Sequence, residues 1–307
     1  MVWPPSLPET WRDVLSPQTS PCDPLAIALS RKAQTGRPGA AEGREVAAGE
    51  GWRVLDIVCT SGPGDRPFEE RQSSTSISLV LSGTFVYRSE RGSSLMSAGA
   101  LLLGNVGQPF ECSHRHGEGD RCLSFQFEPE LFERLAHDAG ASRSSFDRDR
   151  LPPLRTLAPL TARAQMALGG QGSFEELALE VAGAVVQVAG RAQGDAPTMA
   201  TPDPDRIARV LRQLESRVVE PHTLAELARA AGLSRYHFLR TFKSVTGITP
   251  HQWMLRARLR RAAERLVTSR APVTDIALDV GFDDLSNFIR TFRAEFGVSP
   301  RRYRTTA

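Results

Sequence analysis

Two groups of residues in this 307-residue chain have types and spacings that could do chemistry. The first is Cys112-Ser-His114-Arg-His116-Gly-Glu-Gly-Asp120-Arg-Cys122. Two thiols and two imidazoles this close could ligate zinc as a Cys2His2 set. Alternatively, Arg115 and Arg121 could lower a thiol pKa and make a redox sensor. A third reading is a polar hairpin loop between two strands, with the cysteines acting as small buried residues. Cys-x-His followed closely by a further His and Cys crowds every ligand into one short loop and matches no established zinc spacing. The expectation is therefore no bound metal and no cofactor, with Cys112, His114, His116 and Cys122 kept as metal candidates.

The second group is Arg235, Tyr236, Leu239, Arg240 and Lys243 in one stretch, and Leu285, Ser286, Ile289, Arg290 and Arg293 in another, with Asn287 at its edge. Each stretch holds two phenylalanines four apart, Phe238/Phe242 and Phe288/Phe292, which mark the buried stripe of a helix. The named residues fall on the opposite face. Arginine can bind guanine O6 and N7 through two hydrogen bonds, whereas Leu239 and Ile289 offer only apolar contact to a thymine methyl. Arg240 and Arg290 are the base-reading candidates, and Lys243 and Arg293 the phosphate contacts. A merely solvated face would account for one such helix; two alike favour recognition.

The elements that position these faces repeat. Leu227-Ala228 matches Ile276-Ala277, and Gly232 matches Gly281, at an offset of 49. Phe238, Arg240, Thr241, Phe242, Gly247 and Pro250 match Phe288, Arg290, Thr291, Phe292, Gly297 and Pro300 at an offset of 50. A solenoid needs about three or more such units, so two copies of helix, glycine turn and helix indicate paired helix-turn-helix units. Thr223-Leu-Ala-Glu226 is a capping box. Pro272 at the equivalent place is tolerated because a helix start has no use for that N–H. Gly232 and Gly281 sit where a helix ends in a left-handed conformation.

These signals place one unit at about 223–246, a linker helix at 250–268 and a second unit at about 272–296. The linker helix offers Trp253, Ala257, Leu259, Ala262 and Leu266 for burial, with five arginines around them. Its length, roughly 27 Å at 1.5 Å per residue, suits a strut holding two recognition helices about 34 Å apart, one turn of duplex. Charge agrees. Residues 203–307 carry 19 Lys and Arg against 11 Asp and Glu, a net of +8, while the remainder carries 19 against 24, a net of −5. Segregation of this kind is the electrostatic footprint of nucleic-acid binding.

Residues from about 205 to 305 resemble the DNA-binding domain of the AraC/XylS family of bacterial transcription regulators. The resemblance is carried by Ala-Gly-Leu-Ser at 231–234, Phe-Leu-Arg-Thr-Phe-Lys at 238–243, and the stretch from Ile276-Ala277 through Gly-Phe-Asp-Asp and Ser-Asn-Phe-Ile-Arg-Thr-Phe-Arg to Pro300. It implies seven helices, double-stranded promoter DNA as partner and RNA polymerase as a further candidate partner. Leu239 and Ile289 depart from it, standing where many relatives place polar base-reading residues.

Ahead of this lie some 200 residues with a different texture. Residues 1–45, rich in Pro, Ser, Gly, Ala and charge, read as an irregular extension with no signal peptide. No run approaches a membrane span, so a cytoplasmic chain with its four cysteines reduced is expected. From Trp52 to Phe127 short strands are expected: Ser76–Ser82 alternates, Gly83 turns it, and Thr84–Tyr87 follows. Leu101–Leu103 reads as a buried strand, and Leu123, Phe125 and Phe127 line one face of another, suggesting a small barrel or sandwich. Helices are expected at Leu131–Ala139 and after the Ser173–Glu176 capping box, the latter apolar enough for packing or self-association, and 194–203 reads as a linker.

This region, taken as a domain over 46–193 ahead of one over 204–307, is similar to the cupin-type sensor domains found before AraC-type DNA-binding domains, through Gly99–Phe110. Phe110 stands where a metal-binding cupin has histidine, and no His-x-His-plus-Glu motif precedes Gly83, so the usual metal triad is absent. The fold class expected is α+β with two domains: a cupin-like β-barrel with flanking helices, then an all-α domain with two helix-turn-helix units. The resemblance implies a homodimeric, effector-modulated DNA-binding regulator rather than an enzyme. A DNA-repair or metal/thiol protein using the Cys112–Cys122 loop is the competing reading, and a constitutive architectural protein a third.

Overall fold

A computed structural model describes residues 23–115, 117–170, 172–191 and 203–306. It begins with helix α1 (Pro24–Thr35), started by the Asp23 carboxylate accepting the Leu25 amide and ended by Gly36 in the left-handed region. Strand β1 (Ala41–Gly49) follows and pairs antiparallel with β2 (Trp52–Cys59). The irregular extension expected through residue 45 is therefore overturned from residue 24 onward. Its signal was weak because α1 buries only Leu25 and β1 is almost wholly exposed, so neither carries an apolar periodicity.

The remaining strands are β3 (Phe68–Arg71), β4 (Thr75–Ser89), β5 (Gly92–Ser97), β6 (Leu101–Gly104), β7 (Pro109–Ser113), β8 (Asp120–Phe127) and β9 (Arg150–Leu151). One sheet runs β1-β2-β8-β4-β6-β9, while β5 and β7 join the far half of β4 and β3 pairs with β7. The turn expected at Gly83 is not there. β4 runs straight through it, with Gly83 at φ +81° and the register against β8 slipping between Val80 and Ser82. A side chain at Gly83 would place its Cβ 2.4 Å from the Gly119 carbonyl oxygen, so glycine here admits a close crossing of strands rather than a reversal.

Two cores flank the sheet system. Leu79, Leu123, Phe125 and Phe127 pack under helices α2 (Pro129–Asp138), α3 (Ala158–Leu168) and α4 (Phe174–Arg191). The helix expected after Ser173 is α4, whose Ser173 hydroxyl accepts the Glu176 amide at 3.3 Å. A second core joins Val80, Phe85, Tyr87, Met96, Cys112 and Cys122, with Phe110 stacked on Tyr87 at 5.3 Å between ring centroids.

The C-terminal part is helical: α5 (Asp203–Ser216), α6 (Leu224–Ala231), α7 (Arg235–Thr246), α8 (Pro250–Thr268), α9 (Val273–Asp279), α10 (Leu285–Phe296) and α11 (Pro300–Thr306). It has two small cores, one around Leu211, Leu227, Phe238, Phe242 and Trp253, the other around Leu259, Leu266, Ile276, Phe288, Phe292 and Tyr303. α8 contributes to both, as its expected apolar stripe requires. Each core also takes one buried residue from the sheet-rich part, Leu95 in the first and Ala162 in the second. The linker expected at 194–203 lies outside the described residues except for Asp203, where α5 begins. Among the described residues no helix is long and apolar enough to cross a membrane.

Candidate nucleic-acid interface

Both helix-turn-helix units are held by local bonds. In the first, the Thr223 hydroxyl accepts the Glu226 amide at 3.2 Å while the Glu226 carboxylate accepts the Thr223 amide at 2.8 Å. Gly232 ends α6 at φ 65°, and Ser234 caps α7. In the second, Pro272 caps α9 without a side-chain bond, Gly281 turns at φ +90°, and the extra residue leads to Asp284. That carboxylate accepts the amides of Ser286 and Asn287 at 3.0 and 2.9 Å, a stronger start than the first unit's single Ser234 bond.

Phe238, Phe242, Phe288 and Phe292 are fully buried, which turns the opposite faces outward. Arg235, Tyr236, Leu239, Arg240 and Lys243 are exposed on α7; Ser286, Asn287, Ile289, Arg290 and Arg293 are exposed on α10. Leu285 is the exception: it is half-buried and packs on the second core. A residue in the first turn of a helix covers the surface behind its own Cα, and behind Leu285 that surface is the core. The two faces also differ in what holds their readers. The Arg240 guanidinium lies over the Tyr236 ring, 5.9 Å from its centroid, and Tyr236 is 73% exposed. Arg290 instead donates to Asn287 Oδ1 at 3.1 Å, and the Thr291 hydroxyl reaches the same oxygen at 3.3 Å.

Charge counting misplaces several arginines of α8. Arg258 donates to the carbonyls of Val218 at 2.9 Å and Glu220 at 3.1 Å beside the first unit, and to Gly281 at 2.7 Å in the turn of the second. Burial holds its pKa below the usual guanidinium value. Arg256 pairs with Glu295 at 3.3 Å and also donates to the Pro153 carbonyl. Arg260 is buried beside Glu215, whose carboxyl is pushed up to about 7 by burial. These side chains are internal struts, invisible to a count of basic residues.

Two contacts missed by sequence reasoning tie the sheet-rich part to both recognition helices. Arg150 donates to the Thr246 carbonyl at the end of α7 at 2.7 Å, and Arg155 donates to the Ala294 carbonyl near the end of α10 at 2.6 Å. Carbonyls in the last turn of a helix lack intrahelical partners and attract cations. Between the two arginines, Pro152 packs against Gly247 so closely that a Cβ on that glycine would come within 2.4 Å of its Cβ. No sequence signal distinguishes Arg150 and Arg155 from surface arginines.

The cysteine and histidine loop joins β7 to β8. Cys112 and Cys122 are buried and their thiols are pushed well above the usual value by burial, the opposite of a redox-sensing thiol. Arg121 does not activate a thiol; it binds both oxygens of Asp56 at 2.8 and 3.0 Å. His116 lies outside the described residues. The groups that do converge are His114, Asp120 and Cys59, the last being 55 residues before His114 in sequence and absent from the expected set. Beside α2 and α4 a cleft of 470 Å³ is lined by Phe132, Ser142, Arg143, Phe146, Asp147 and Gln187, among others.

Two helix-turn-helix units on a shared helix, packed against a sheet-rich domain, give the chain a two-domain architecture with a candidate DNA-binding face. Comparison with known proteins agrees. A helix-turn-helix domain family matches residues 227–306, and the AraC-like ligand binding domain family matches residues 60–186. The regulatory protein SoxS of Salmonella typhimurium is 32% identical over 98 residues, 32% of this chain and 92% of that protein. The transcriptional activator NphR of Rhodococcus sp is 34% identical over 142 residues, 46% of this chain and 41% of that protein. The chain thus spans less than half the length of NphR, and 43% of LumQ from Photobacterium leiognathi. ToxT of Vibrio cholerae, solved with unsaturated fatty acid bound, aligns over 85% of this chain and 97% of its own at 15% identity and a TM-score of 0.36. The chain belongs to the AraC family of transcriptional regulators.

Proposed function

We propose that this protein binds double-stranded promoter DNA in a sequence-specific manner through α7 and α10, and that its sheet-rich domain tunes this binding in response to a small effector. The observation that carries the reading is the pair of capped helices, each anchored by two buried phenylalanines and each presenting an exposed arginine, Arg240 or Arg290, on its outer face. One monomer would read two successive major-groove faces. Arg240 and Arg290 would read bases, and Lys243 and Arg293 would meet phosphates. Regulation is supported by the Arg150 and Arg155 bonds, since any shift of the 150–155 segment would move both recognition helices. The 470 Å³ cleft falls in the size range of small-ligand sites and is the effector site proposed. A homodimer and contact with RNA polymerase complete the reading. The competing reading of a DNA-repair protein that uses the Cys112–Cys122 loop is disfavoured, because cysteines 59, 112 and 122 are all buried.

Footprinting of the full chain on genomic fragments tests the proposal. Two protected major-groove segments about one helical turn apart are expected, with log K falling linearly as log salt rises. Binding without sequence preference at low salt would sink it. An unchanged footprint across a metabolite panel, with Arg143→Ala in the cleft also silent, would remove the effector and leave a constitutive binder.

A further inference from the structure

We infer that Cys59, His114 and Asp120 form a binding site for a thiophilic divalent cation, with zinc the best match, in the sheet-rich domain. The site is built by long-range pairing. β2 and β8 run antiparallel with Cys59 directly opposite Asp120, and His114 reaches over from the end of β7. One donor atom from each residue lies within 4.8 Å of the others, and all three residues are buried. A cation bonded at about 2.0–2.3 Å holds two donors no more than about 4.6 Å apart, so a small closing movement would bring all three onto it.

The imidazole is poised for this role. His114 Nε2 is bonded to Asp120 Oδ2 at 2.6 Å, and the Cys59 thiol lies within 4.8 Å of this pair. When the cation enters, the Cys59 thiol gives up its proton to solvent, and the His114 ring binds in its neutral form. His114 Nε2 and the Asp120 carboxylate, now bonded to each other, then turn to the metal beside the Cys59 thiolate. One thiolate, one carboxylate and a neutral imidazole neutralise a dication, which suits a buried location.

The site's loop also touches the helical domain: a Cβ on Gly117 would lie 2.6 Å from the Arg212 side chain on α5. The cation site itself, however, stands independently of the DNA-binding reading. Its test uses the full chain, stripped of metal and reloaded with zinc or cobalt. About one equivalent of zinc and a thiolate-to-cobalt charge-transfer absorption are expected, both lost in Cys59→Ser and in His114→Gln. Asp120→Asn should weaken zinc binding by more than about 10-fold through loss of a charged ligand. Cys112→Ser, buried nearby but outside the set, should keep both signals. Circular dichroism of each variant separates loss of metal from loss of fold, and the cobalt spectrum of the parent needs no variant at all. Absence of stoichiometric metal in the parent at excess zinc would overturn the site. So would loss of binding in Cys112→Ser with Cys59→Ser unaffected.

Discussion

The two helix-turn-helix units share a pattern but are secured in different ways. The first is closed by the reciprocal Thr223–Glu226 bonds and by Arg206 of α5 on the Gly232 carbonyl at 3.2 Å, and Arg240 rests on an exposed Tyr236. The second lacks a side-chain cap at Pro272, and its turn is secured by Arg258 on the Gly281 carbonyl. Its reader Arg290 is already engaged with Asn287. The first has a capping box that the second lacks. We propose that Arg240 enters a groove without giving up a hydrogen bond whereas Arg290 must leave one, so that the first unit carries more of the hydrogen-bonded base readout and the second leans on Ile289, methyl contacts and DNA shape.

The largest effect that could break this picture is in the cores. Phe242→Ala and Phe292→Ala should each cost about 3–5 kcal/mol by leaving a cavity. Amide exchange should rise first in the unit that carries the change; equal loosening of both would mean they are one cooperative body. Next comes Arg258→Ala, expected to lower stability by roughly 2–4 kcal/mol because it orphans carbonyls on both sides of the linker helix. Thermal unfolding reads this directly, and a loss below about 0.5 kcal/mol, as at an ordinary surface site, would refute the strut. On DNA, Arg240→Ala should cost about 1–3 kcal/mol in specific affinity and relax one base position. Arg290→Ala should fall at the low end of that range. Footprints identical to the parent for both would mean the helices face the duplex differently. The smallest effect sharpens the contrast in caps: Thr223→Ala should destabilise by about 1 kcal/mol in denaturant titration. Pro272→Ala, which removes no side-chain bond, should cost less.

Legibility in the sequence followed the range of the interactions. The helix start at Thr223 and the left-handed turns at Gly232 and Gly281 are readable because a capping box or a left-handed glycine acts within a few residues. The phenylalanine stripes were readable for the same reason. Leu285 was misplaced because a first-turn side chain leans backward, which spacing alone does not reveal. Gly83 was taken for a turn because a glycine between two alternating runs looks the same whether the chain reverses or crosses another strand. β1 and α1 went unseen because exposed edges carry no apolar period.

By itself, then, the sequence determined the tandem recognition helices, their boundaries, their buried and outer faces and the basic charge of the domain that bears them. All of these follow from contacts between residues close together in the chain. Only the tertiary structure decided which arginines face outward and which bridge carbonyls inside, since a guanidinium's role depends on what folds against it. It also brought Cys59 opposite Asp120 and beside His114, and set Arg150 and Arg155 on the ends of the two recognition helices. Those juxtapositions come from strand pairing and domain packing between distant segments, and no local spacing encodes them.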